Sequence, residues 1–260
     1  MNRRVSLAEA AAAYRIGFAL CVITLAGAFG AQAAPAPRAV KVTWLGHACF
    51  LFQSAEGKRV IIDPFDARTG YPKIRAAADV VVVTHEHFDH NAVGEVSGRP
   101  AVLREPRGRK SAAGIEFLGV KTYHDTQQGR QRGENTVVVF EVDGVRFCHA
   151  GDLGEALSPD QVRRIGRVDV VMLPVGGFFT LDLADANRVV AQLKPKVAIP
   201  MHYRTRYTAP GLRMLAGVGG FLRGKKNVRM IKGSQVTVSS AGLPNTTAIW
   251  VLEPPAGKAP

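Results

Sequence analysis

Cysteine, acidic side chains and aromatic side chains are all scarce in this sequence of 260 residues. Three cysteines cannot supply the framework of a disulfide-rich scaffold, and one of them, Cys21, lies in a leader-like segment. The other two, Cys49 and Cys148, lie in apolar runs, where they would either form one disulfide in an oxidising compartment or serve as small buried hydrophobic residues. The sequence leaves this choice open because it does not define the distance between them.

Acidic residues number 21 against 34 lysines and arginines, which gives a formal net charge of +13. Such a charge favours acidic partners, namely phosphate esters, nucleic acid or an anionic membrane surface, and carries no information about the fold. The basic residues are scattered, however, and only 7% of the residues are aromatic, without a stripe of alternating basic and aromatic side chains. We therefore expect a solvated basic surface, a small-molecule substrate and no specific nucleic-acid partner.

The N-terminal segment has no charged residue between Arg15 and Arg38. A basic start, the apolar run of residues 16–30 and the small-residue motif Ala31-Gln32-Ala33 together follow the layout of a secretory signal peptide. The apolar run is short for a membrane span, although an uncleaved anchor is the alternative. Removal of residues 1–33 takes away three arginines and one glutamate, which lowers the net charge from +13 to +11. The layout predicts a periplasmic or secreted mature chain with no stable membrane span.

The rest of the chain, residues 34–260, is expected to form a single domain. Apolar residues make up 47% of the sequence, which argues against disorder, and we find no repeat of solenoid period and no linker after residue 38. Three strand-like segments open the domain, and the valine run in "DVVVVTH" predicts a strand buried on both faces. Strands and helices then alternate after the polar loop of residues 125–135. A block of strands followed by such alternation is typical of an α/β layered domain.

Turn and cap signals predict several boundaries. Asp143-Gly144 predicts the tight turn of a hairpin, and Ser158-Pro159 predicts the first residues of a helix. Apolar residues at 183, 186, 189–190 and 193 lie on one face of a predicted helix. A weaker helix is predicted over residues 211–225.

The segment "THEHFDH", residues 84–90, places three histidines and an aspartate directly after the valine strand. Imidazole and carboxylate groups suit a borderline divalent ion, zinc first. In an extended segment, His85 and His87 would point to the same side and could bind one ion. His124, Asp152 and His202 each follow an apolar strand, and strand ends at one edge of layered sheets can converge. The pattern therefore predicts a metal site at that edge.

The order of "WLGHACFLF", "IIDPF", "THEHFDH", "HAGDLG", "LPVGGFFT" and "PMHY" resembles the metallo-β-lactamase superfamily. Within it, the motifs are similar to the branch that includes ascorbate-6-phosphate lactonase and N-acylphosphatidylethanolamine phospholipase D. The resemblance covers residues 40–235 and implies an α/β fold, a four-layer αββα sandwich of two mixed β-sheets flanked by helices. It implies a first metal on His85, His87 and His124, a second on Asp89, His90 and His202, and Asp152 as the bridging ligand.

Other motif residues are predicted to support the site or the core. The resemblance places Asp63 behind a ligand histidine, where it would orient the imidazole, and the alternative is a turn-capping aspartate. His47 is expected to line the site, whereas His149 is expected to be a packed strand residue. Phe178 and Phe179 are predicted to belong to the core, and the alternative is a wall of the substrate site. The residues predicted to bind substrate are Arg130, Arg132, Gly177 and Tyr203.

The predicted activity is hydrolysis. Two divalent ions about 3.5–4 Å apart can share a water and lower its pKa to near neutral. We expect two Zn²⁺ ions, with Mn²⁺ or Fe²⁺ as alternatives, and catalytic roles for Asp89 and Asp152. A metal-bridging hydroxide would cleave an ester, lactone or phosphodiester bond of a small anionic substrate. The alternatives are β-lactamase or nuclease activity at the same site, or a metal-binding module without turnover.

Overall fold

The computed structural model describes residues 38–257, so the predicted signal peptide of residues 1–33 lies outside the described part of the chain. The described residues form fourteen strands and three short helices. The strands, in chain order, are β1 (Val40–Gly46), β2 (Cys49–Gln53), β3 (Arg59–Ile62), β4 (Val80–Val83), β5 (Ala101–Arg104), β6 (Gly108–Ala112), β7 (Ile115–Tyr123), β8 (Glu134–Val142), β9 (Val145–His149), β10 (Val170–Pro174), β11 (Val197–Met201), β12 (Val228–Ile231), β13 (Gln235–Val238) and β14 (Ala248–Leu252). The helices are α1 (Pro159–Ile165), α2 (Leu183–Leu193) and α3 (Gly219–Leu222).

The strands form two mixed sheets. The six-stranded sheet has the order β13-β1-β2-β3-β4-β5, and its pairing is antiparallel as far as β3 and parallel from β3 to β5. The eight-stranded sheet has the order β12-β14-β11-β10-β9-β8-β7-β6. Its strands β6 to β9 pair antiparallel, and β9, β10, β11, β14 and β12 pair parallel. The predicted α/β sandwich of two mixed sheets is confirmed.

The main core lies between the sheets, where aromatic side chains from both sheets meet. The ring of Phe52 on β2 lies 4.9 Å from that of Phe140 on β8 and 5.0 Å from that of Phe147 on β9. All three side chains are at most 1% exposed. Aromatic pairs at these distances add to the free energy of burying apolar area, so they hold the two sheets face to face.

The outer faces of the two sheets are covered differently. Helices α1 and α2 contribute Ile165, Ala186 and Val189 to the main core. On the outer face of the six-stranded sheet, a second apolar cluster lies beneath the irregular segment of residues 63–79, with Phe65 and Tyr71 as its largest members. This described segment contains a 3₁₀ turn at Ala67–Thr69 and no α-helix.

The local signals for turns and caps are confirmed. Asp143 and Gly144 both have positive φ, 49° and 75°, as a tight hairpin turn of the favoured twist requires. Ser158 accepts a hydrogen bond from the backbone N–H of Gln161, whose side chain accepts from the Ser158 N–H in return. This reciprocal capping box, with Pro159 in the first turn, begins α1.

Two expectations for the C-terminal third are corrected. The helix predicted over residues 211–225 is reduced to a 3₁₀ turn at Pro210–Leu212 and the single turn of α3. That stretch contains five glycines, and each costs a helix interior about 1 kcal/mol relative to alanine. Strand β13, which the prediction omitted, pairs with β1 at the edge of the six-stranded sheet.

The cysteines and the helices of the described residues answer two questions that the sequence raises. Cys49 and Cys148 are free and buried, and they lie in the second apolar cluster and the main core respectively. Burial raises the pKa of the Cys148 thiol to about 12, so this residue is a small buried hydrophobic group rather than a reactive thiolate. Among the described residues, no helix is both long and apolar enough to span a membrane.

Candidate metal centre

The directions of the strands bring the ligand-type residues to one edge of the sandwich. Strands β1 and β3 are both antiparallel to β2, and β4 runs parallel to β3, so all three end at the same edge. In the other sheet, β7 and β9 are both antiparallel to β8, and β10 and β11 run parallel to β9. The residues that follow these strand ends are His47, Asp63, His85, His124, Asp152 and His202.

Three of these residues have an unusual backbone conformation. His47, Asp63 and His202 have φ values of 52°, 52° and 51°, in the left-handed region that costs a non-glycine residue roughly 1–2 kcal/mol. Neighbouring backbone groups hold this conformation, since the N–H of His202 donates to the carbonyl of His47 at 3.0 Å. Strained residues that their surroundings hold in place are concentrated at functional sites.

The carboxylate of Asp152 lies at the centre of the cluster. Its Oδ2 is 3.1 Å from Nε2 of His124, 3.2 Å from Nε2 of His90 and 3.3 Å from Nε2 of His202. The Nε2 of His85 is 3.8 Å away. One carboxylate therefore faces imidazoles from both sheets, which is the placement expected of a ligand shared between two ions.

His87 completes the other side of the cluster. Its ring centre lies 4.7 Å from that of His85 and 5.0 Å from that of His124, and a ligand atom from each of the three falls within 4.8 Å of the others. A second group of ligand atoms at the same spacing comes from His47, Asp89, His90 and His202. Both groups are able to bind a metal ion.

Several polar atoms in the cluster are buried and have no hydrogen-bond partner among the described residues. A buried polar atom without a partner costs about 1–3 kcal/mol, so such atoms are rare in folded proteins. Their concentration at one point indicates that the cluster is built to hold a further group. Imidazole nitrogen and carboxylate oxygen are donors that a divalent metal ion accepts, so the residues present fit such an ion. The atoms are Nε2 of His85, His90 and His202, Nδ1 of His124 and His202, and Oδ1 of Asp152.

Hydrogen bonds behind the cluster orient two of the imidazoles. His90 donates its Nδ1–H to Asp63 at 3.0 Å, which leaves its Nε2 facing Asp152. The Thr84 hydroxyl donates to Asp63 at 2.7 Å and accepts the Nδ1–H of His85 at 3.0 Å. These Nδ1–H bonds orient both rings so that the Nε2 atoms of His85 and His90 face the cluster.

His47 and Asp89 form a further buried pair. The Nε2–H of His47 donates to Oδ2 of Asp89 at 2.9 Å. Burial and the neighbouring His202 together lower the pKa of His47 to about 4, against the opposing effect of Asp89. Burial alone would raise the pKa of Asp89, but His90 and His47 hold it well below its ordinary value. At neutral pH, Asp89 is therefore an ionised hydrogen-bond acceptor, and His47 is a neutral donor.

Burial and neighbouring charges also have opposite effects on the pKa values at the centre of the cluster. Burial would raise the pKa of Asp152, but His202, His90 and His124 hold it well below its ordinary value. Burial would lower the pKa of His90, but Asp152 and Asp89 raise it. A carboxylate that is ionised at neutral pH and surrounded by imidazoles is suited to bind a cation in their midst.

An open cavity of about 490 Å³ gives access to the cluster from solvent. Phe88 and Phe179 form part of its wall, and Arg68 and Arg132 lie beside these rings. His85 and His90 lie beneath it, at 2% and 0% exposure. The predicted ligands that line it are His87, Asp89, His124, Asp152 and His202.

Three of the four residues predicted to bind substrate do not line this cavity. Arg130 is exposed and directs its Nε–H to the carbonyl of Gln127 at 3.1 Å. Tyr203 is 5% exposed and packs against Trp44, with ring centres 5.3 Å apart. Gly177 instead forms the turn, at φ 64°, that precedes the two phenylalanines. Of the four, only Arg132 lines the cavity.

The expectation that Phe178 and Phe179 belong to the core is also wrong. Phe178 is 59% exposed, and Phe179 lines the cavity. The turn at Gly177 lifts the pair out of the sheet, since the Phe179 N–H donates back to the Gly177 carbonyl at 2.6 Å. His149, in contrast, is a buried residue at the end of β9, with Nε2–H donating to the Ala48 carbonyl at 2.8 Å.

Sequence reasoning missed several residues that support the site. Asn135, at the start of β8, accepts the backbone N–H of Asp152 at 3.0 Å and donates to the carbonyl of Ala150 at 2.9 Å. Thr84 is visible in the motif, but its link to Asp63 depends on the parallel pairing of β3 and β4. Arg68 and Phe88 carry no local signal that would place them together.

Comparison with known proteins identifies the family of the chain. Residues 41–202 match the beta-lactamase superfamily domain. The chain is 32% identical over 194 residues to a UPF0173 metal-dependent hydrolase of Thermoplasma volcanium, an alignment that covers 64% of this chain and 84% of the relative. A UPF0173 metal-dependent hydrolase of Archaeoglobus fulgidus is 32% identical over 198 residues, with the same two coverages, 64% and 84%.

Solved structures show the same likeness. A metallo-beta-lactamase superfamily protein of Thermotoga maritima, assigned as a Zn-dependent hydrolase, has a TM-score of 0.67 and 36% identity, covering 82% of this chain and 98% of that chain. A metallo hydrolase of Ignicoccus hospitalis shares the fold, with a TM-score of 0.54 and 23% identity over 77% of this chain and 99% of that one.

Proposed function

Because this chain belongs to the metallo-β-lactamase superfamily, within its UPF0173 family of metal-dependent hydrolases, we propose that it is a binuclear zinc hydrolase of a small anionic ester, lactone or phosphodiester. One observation carries the proposal. The Nε2 atoms of His85, His90 and His202 are buried around the ionised carboxylate of Asp152, and they have no hydrogen-bond partner in the described part of the chain. If the cluster bound no ion, the free-energy cost of burying these polar atoms would not be compensated.

The ligands divide into two groups around Asp152. His85, His87 and His124 would hold one ion, and Asp89, His90 and His202 would hold the other. The first group consists of three imidazoles, and burial lowers the pKa of two of them, His85 and His87. His124 completes the group, with its ring centre 5.0 Å from that of His85. The second adds the charge of Asp89, and zinc accepts both kinds of donor.

The chain's own residues orient the reacting groups. When bound, divalent ions polarise a substrate oxygen and lower the pKa of water to about 7. Asp89 has a lowered pKa and is therefore a weak proton acceptor, so its role is to orient the attacking water by hydrogen bonding. His47 fixes the carboxylate for this task through its 2.9 Å hydrogen bond. Asp63 and Thr84 keep His90 and His85 in the required tautomers.

Two features support the substrate class. The motifs "HAGDLG", "LPVGGFFT" and "PMHY" resemble the lactonase and phospholipase branch of the superfamily, whose substrates contain ester or phosphodiester bonds. Arg132 lines the cavity beside the predicted ligand His124, where a guanidinium favours an anionic group.

We further propose that the enzyme acts in the periplasm or outside the cell, after removal of residues 1–33. The basic start, the apolar run and the Ala31-Gln32-Ala33 motif support export. Mass spectrometry of the protein from the exported fraction should find Ala34 at the N-terminus. A mature protein that still begins near Met1 would refute cleavage.

The function is tested by metal content and turnover together. We expect about two zinc equivalents per chain, because the proposed mechanism needs two ions that share a water. The substrates are chromogenic esters and lactones, bis-p-nitrophenyl phosphate and nitrocefin. Chelation should abolish activity, and separate addition of Zn²⁺, Mn²⁺ or Fe²⁺ should identify the ion that restores it. Turnover of nitrocefin alone would favour a β-lactamase, and activity unaffected by complete metal removal would refute the proposal.

A further inference from the structure

The loop between β7 and β8 holds Arg132 at the cavity wall without help from a ligand. Asp125, beside the predicted ligand His124, is only 4% exposed. Its carboxylate accepts four hydrogen bonds from the backbone of the loop. The loop is thereby organised before any substrate arrives. The N–H donors are those of Gln127 at 2.7 Å, Gly129 at 2.9 Å, Gln131 at 2.9 Å and Arg132 at 2.8 Å.

The guanidinium of Arg132 lies against an aromatic ring rather than a carboxylate. Its Cζ is 5.5 Å from the ring centre of Phe179, and it forms no ion pair with any carboxylate in residues 38–257. Stacking on an aromatic face leaves the N–H edge of a guanidinium free, and that edge matches a carboxylate or phosphate. Arg132 is therefore an uncompensated positive charge on the wall of the cavity.

Arg68, the other arginine of the wall, is in a different state. Its Nε and Nη2 donate to Oδ2 of Asp66 at 2.9 Å and 2.6 Å. The same guanidinium lies over Phe88, with Cζ 4.5 Å from the ring centre. Asp66 neutralises Arg68, so this side of the cavity presents an aromatic surface with no net charge. Leu212 adds a further apolar side chain to the wall.

We propose that the substrate is an amphipathic anion with one carboxylate or phosphate group and one aryl or alkyl group. The anionic group binds the N–H edge of Arg132, and the apolar group lies against Phe88, Phe179 and Leu212. This inference rests on the proposed hydrolase function and specifies its substrate. A single free guanidinium distinguishes such a molecule from a polyanion, for which one would expect several, and from a neutral ester.

Kinetics with two matched esters test the anionic half. Mono-4-nitrophenyl glutarate carries a terminal carboxylate, and 4-nitrophenyl pentanoate has the same leaving group and no charge. Arg132→Gln should lower kcat/KM for the glutarate ester by at least about tenfold, mainly through KM, since a charge-assisted hydrogen bond is lost. The same variant should change kcat/KM for the pentanoate ester by less than about twofold, because this ester has no charge to pair with Arg132.

Arg130→Gln is the matched control, because Arg130 lies two residues away in the same loop, exposed and outside the cavity wall. Arg130→Gln removes the same formal charge and should leave kcat/KM for both esters unchanged. Equal losses in Arg130→Gln and Arg132→Gln would assign the effect to general surface charge. Equal losses on both esters in Arg132→Gln would assign it to loop structure. Either result overturns the proposal.

The apolar half is tested with the length of the substrate chain. Phe179→Ala should raise KM for both esters and weaken the preference for longer acyl chains, because the contact area on the wall is lost. A preference for short acyl chains in the parent protein, unaffected by Phe179→Ala, would contradict the apolar assignment.

Direct binding separates this inference from the hydrolase proposal. Calorimetry of the metal-loaded protein should show that 4-phenylbutyrate binds more tightly than 4-phenylbutyramide. That preference should be lost in Arg132→Gln and kept in Arg130→Gln. Arg132-dependent binding without turnover of any ester or phosphodiester would refute the hydrolase and retain the binding site. Turnover without any Arg132 dependence in binding or kinetics would retain the hydrolase and refute the site.

Discussion

The fully buried carboxylate of Asp63 accepts the Nδ1–H of His90 at 3.0 Å. Asp63 also accepts the backbone N–H of Thr84 at 2.8 Å and its hydroxyl at 2.7 Å. Burial alone would raise the pKa of Asp63, but the hydrogen bond and the charge of His90 lower it. One carboxylate at the end of β3 thus fixes the tautomer of His90 directly and that of His85 through Thr84.

Replacing Asp63 with asparagine should weaken metal binding without touching a ligand. The amide carries no charge and has one acceptor oxygen, so it cannot fix both histidines as the carboxylate does. Loss of such an outer partner typically lowers metal affinity or activity about 10- to 100-fold, and we expect a change in this range. Isothermal titration calorimetry of the metal-free protein with Zn²⁺ measures this change in zinc affinity.

Asp79→Asn is the control for Asp63→Asn. Asp79 lies at the opposite end of the same sheet, where it accepts the backbone N–H of Arg59 at 2.7 Å. The substitution removes the same charge and should leave zinc affinity unchanged. If Asp63→Asn binds zinc as tightly as Asp79→Asn, then Asp63 is a turn-capping residue and does not tune the site.

A methyl group at Gly154 should displace a predicted ligand through the backbone. A Cβ built on Gly154 would lie 2.3 Å from the carbonyl carbon of His124 and 2.4 Å from the N of Asp125. Gly154→Ala is therefore expected to cost about 1–3 kcal/mol of unfolding free energy and to lower zinc affinity as His124 moves. Gly94→Ala, where a Cβ meets nothing within 4 Å, should change neither quantity. Urea denaturation and zinc titration of both variants test this, and unchanged zinc affinity in Gly154→Ala would be the contrary result.

Sequence patterns located the candidate ligands because each follows an apolar strand. His124, Asp152 and His202 are far apart in sequence, yet the parallel directions of the strands that precede them bring their side chains together. Periodicity and the turn at Asp143-Gly144 likewise predicted most of the strands, and the resemblance to the metallo-β-lactamase superfamily implied that they form a sandwich. Local signals are sufficient where a residue's position depends on its own strand.

The walls of the cavity could not be predicted in the same way. Phe88 lies over Arg68, and Phe179 lies under Arg132, so each contact joins segments that no local pattern links. Two adjacent phenylalanines after a buried strand look like core, and only the turn at Gly177 turns them outwards. The position of a loop residue depends on tertiary contacts rather than on local propensity. The sequence therefore did not distinguish Arg132, which lines the cavity, from Arg130, which does not.

The stability of the metal-free protein should depend on pH through His149. Its Nε2–H donates to the Ala48 carbonyl, and its Nδ1 accepts the Gly151 N–H at 3.1 Å, which requires a neutral ring. Burial lowers the pKa of His149, against the opposing charge of Asp63. Because the unfolded chain binds the proton near pH 6.5, the contribution of His149 is complete above about pH 6.5 and declines as the pH falls below that value.

His149→Leu isolates this contribution. The variant leaves the Ala48 carbonyl and the Gly151 N–H without partners, so at about pH 7.5 it should be less stable by about 1–3 kcal/mol. The difference should shrink at about pH 5.5, because only the parent protein loses the stabilisation on acidification. Urea denaturation in the presence of a chelator gives both values. A difference that grows at the lower pH would show that His149 is protonated in the folded protein.

Asp152→Asn separates a two-metal enzyme from a passive metal binder. Asparagine has one usable oxygen and no charge, so it bridges two ions poorly and leaves Asp89 as the remaining anionic ligand of the predicted set. We expect one zinc equivalent to be lost or weakly bound, while His85, His87 and His124 retain the other. Hydrolysis should fall by more than the about 10- to 100-fold that loss of an outer partner costs. The pKa of His90 in the metal-free variant should also fall, since the charge of Asp152 raises it in the parent.

Asp160→Asn is the matched control, because this exposed carboxylate on α1 pairs with Arg163 at 3.0 Å and lies outside the cluster. It should keep two zinc equivalents and full turnover. Circular dichroism of both variants shows whether the fold survives, metal analysis gives the zinc count, and NMR titration of the histidine rings follows His90. Because Asp152 faces imidazoles from both sheets, its replacement cannot leave a shared site intact. If Asp152→Asn keeps two zinc ions and the turnover of Asp160→Asn, Asp152 does not bridge them, and the two-metal mechanism fails.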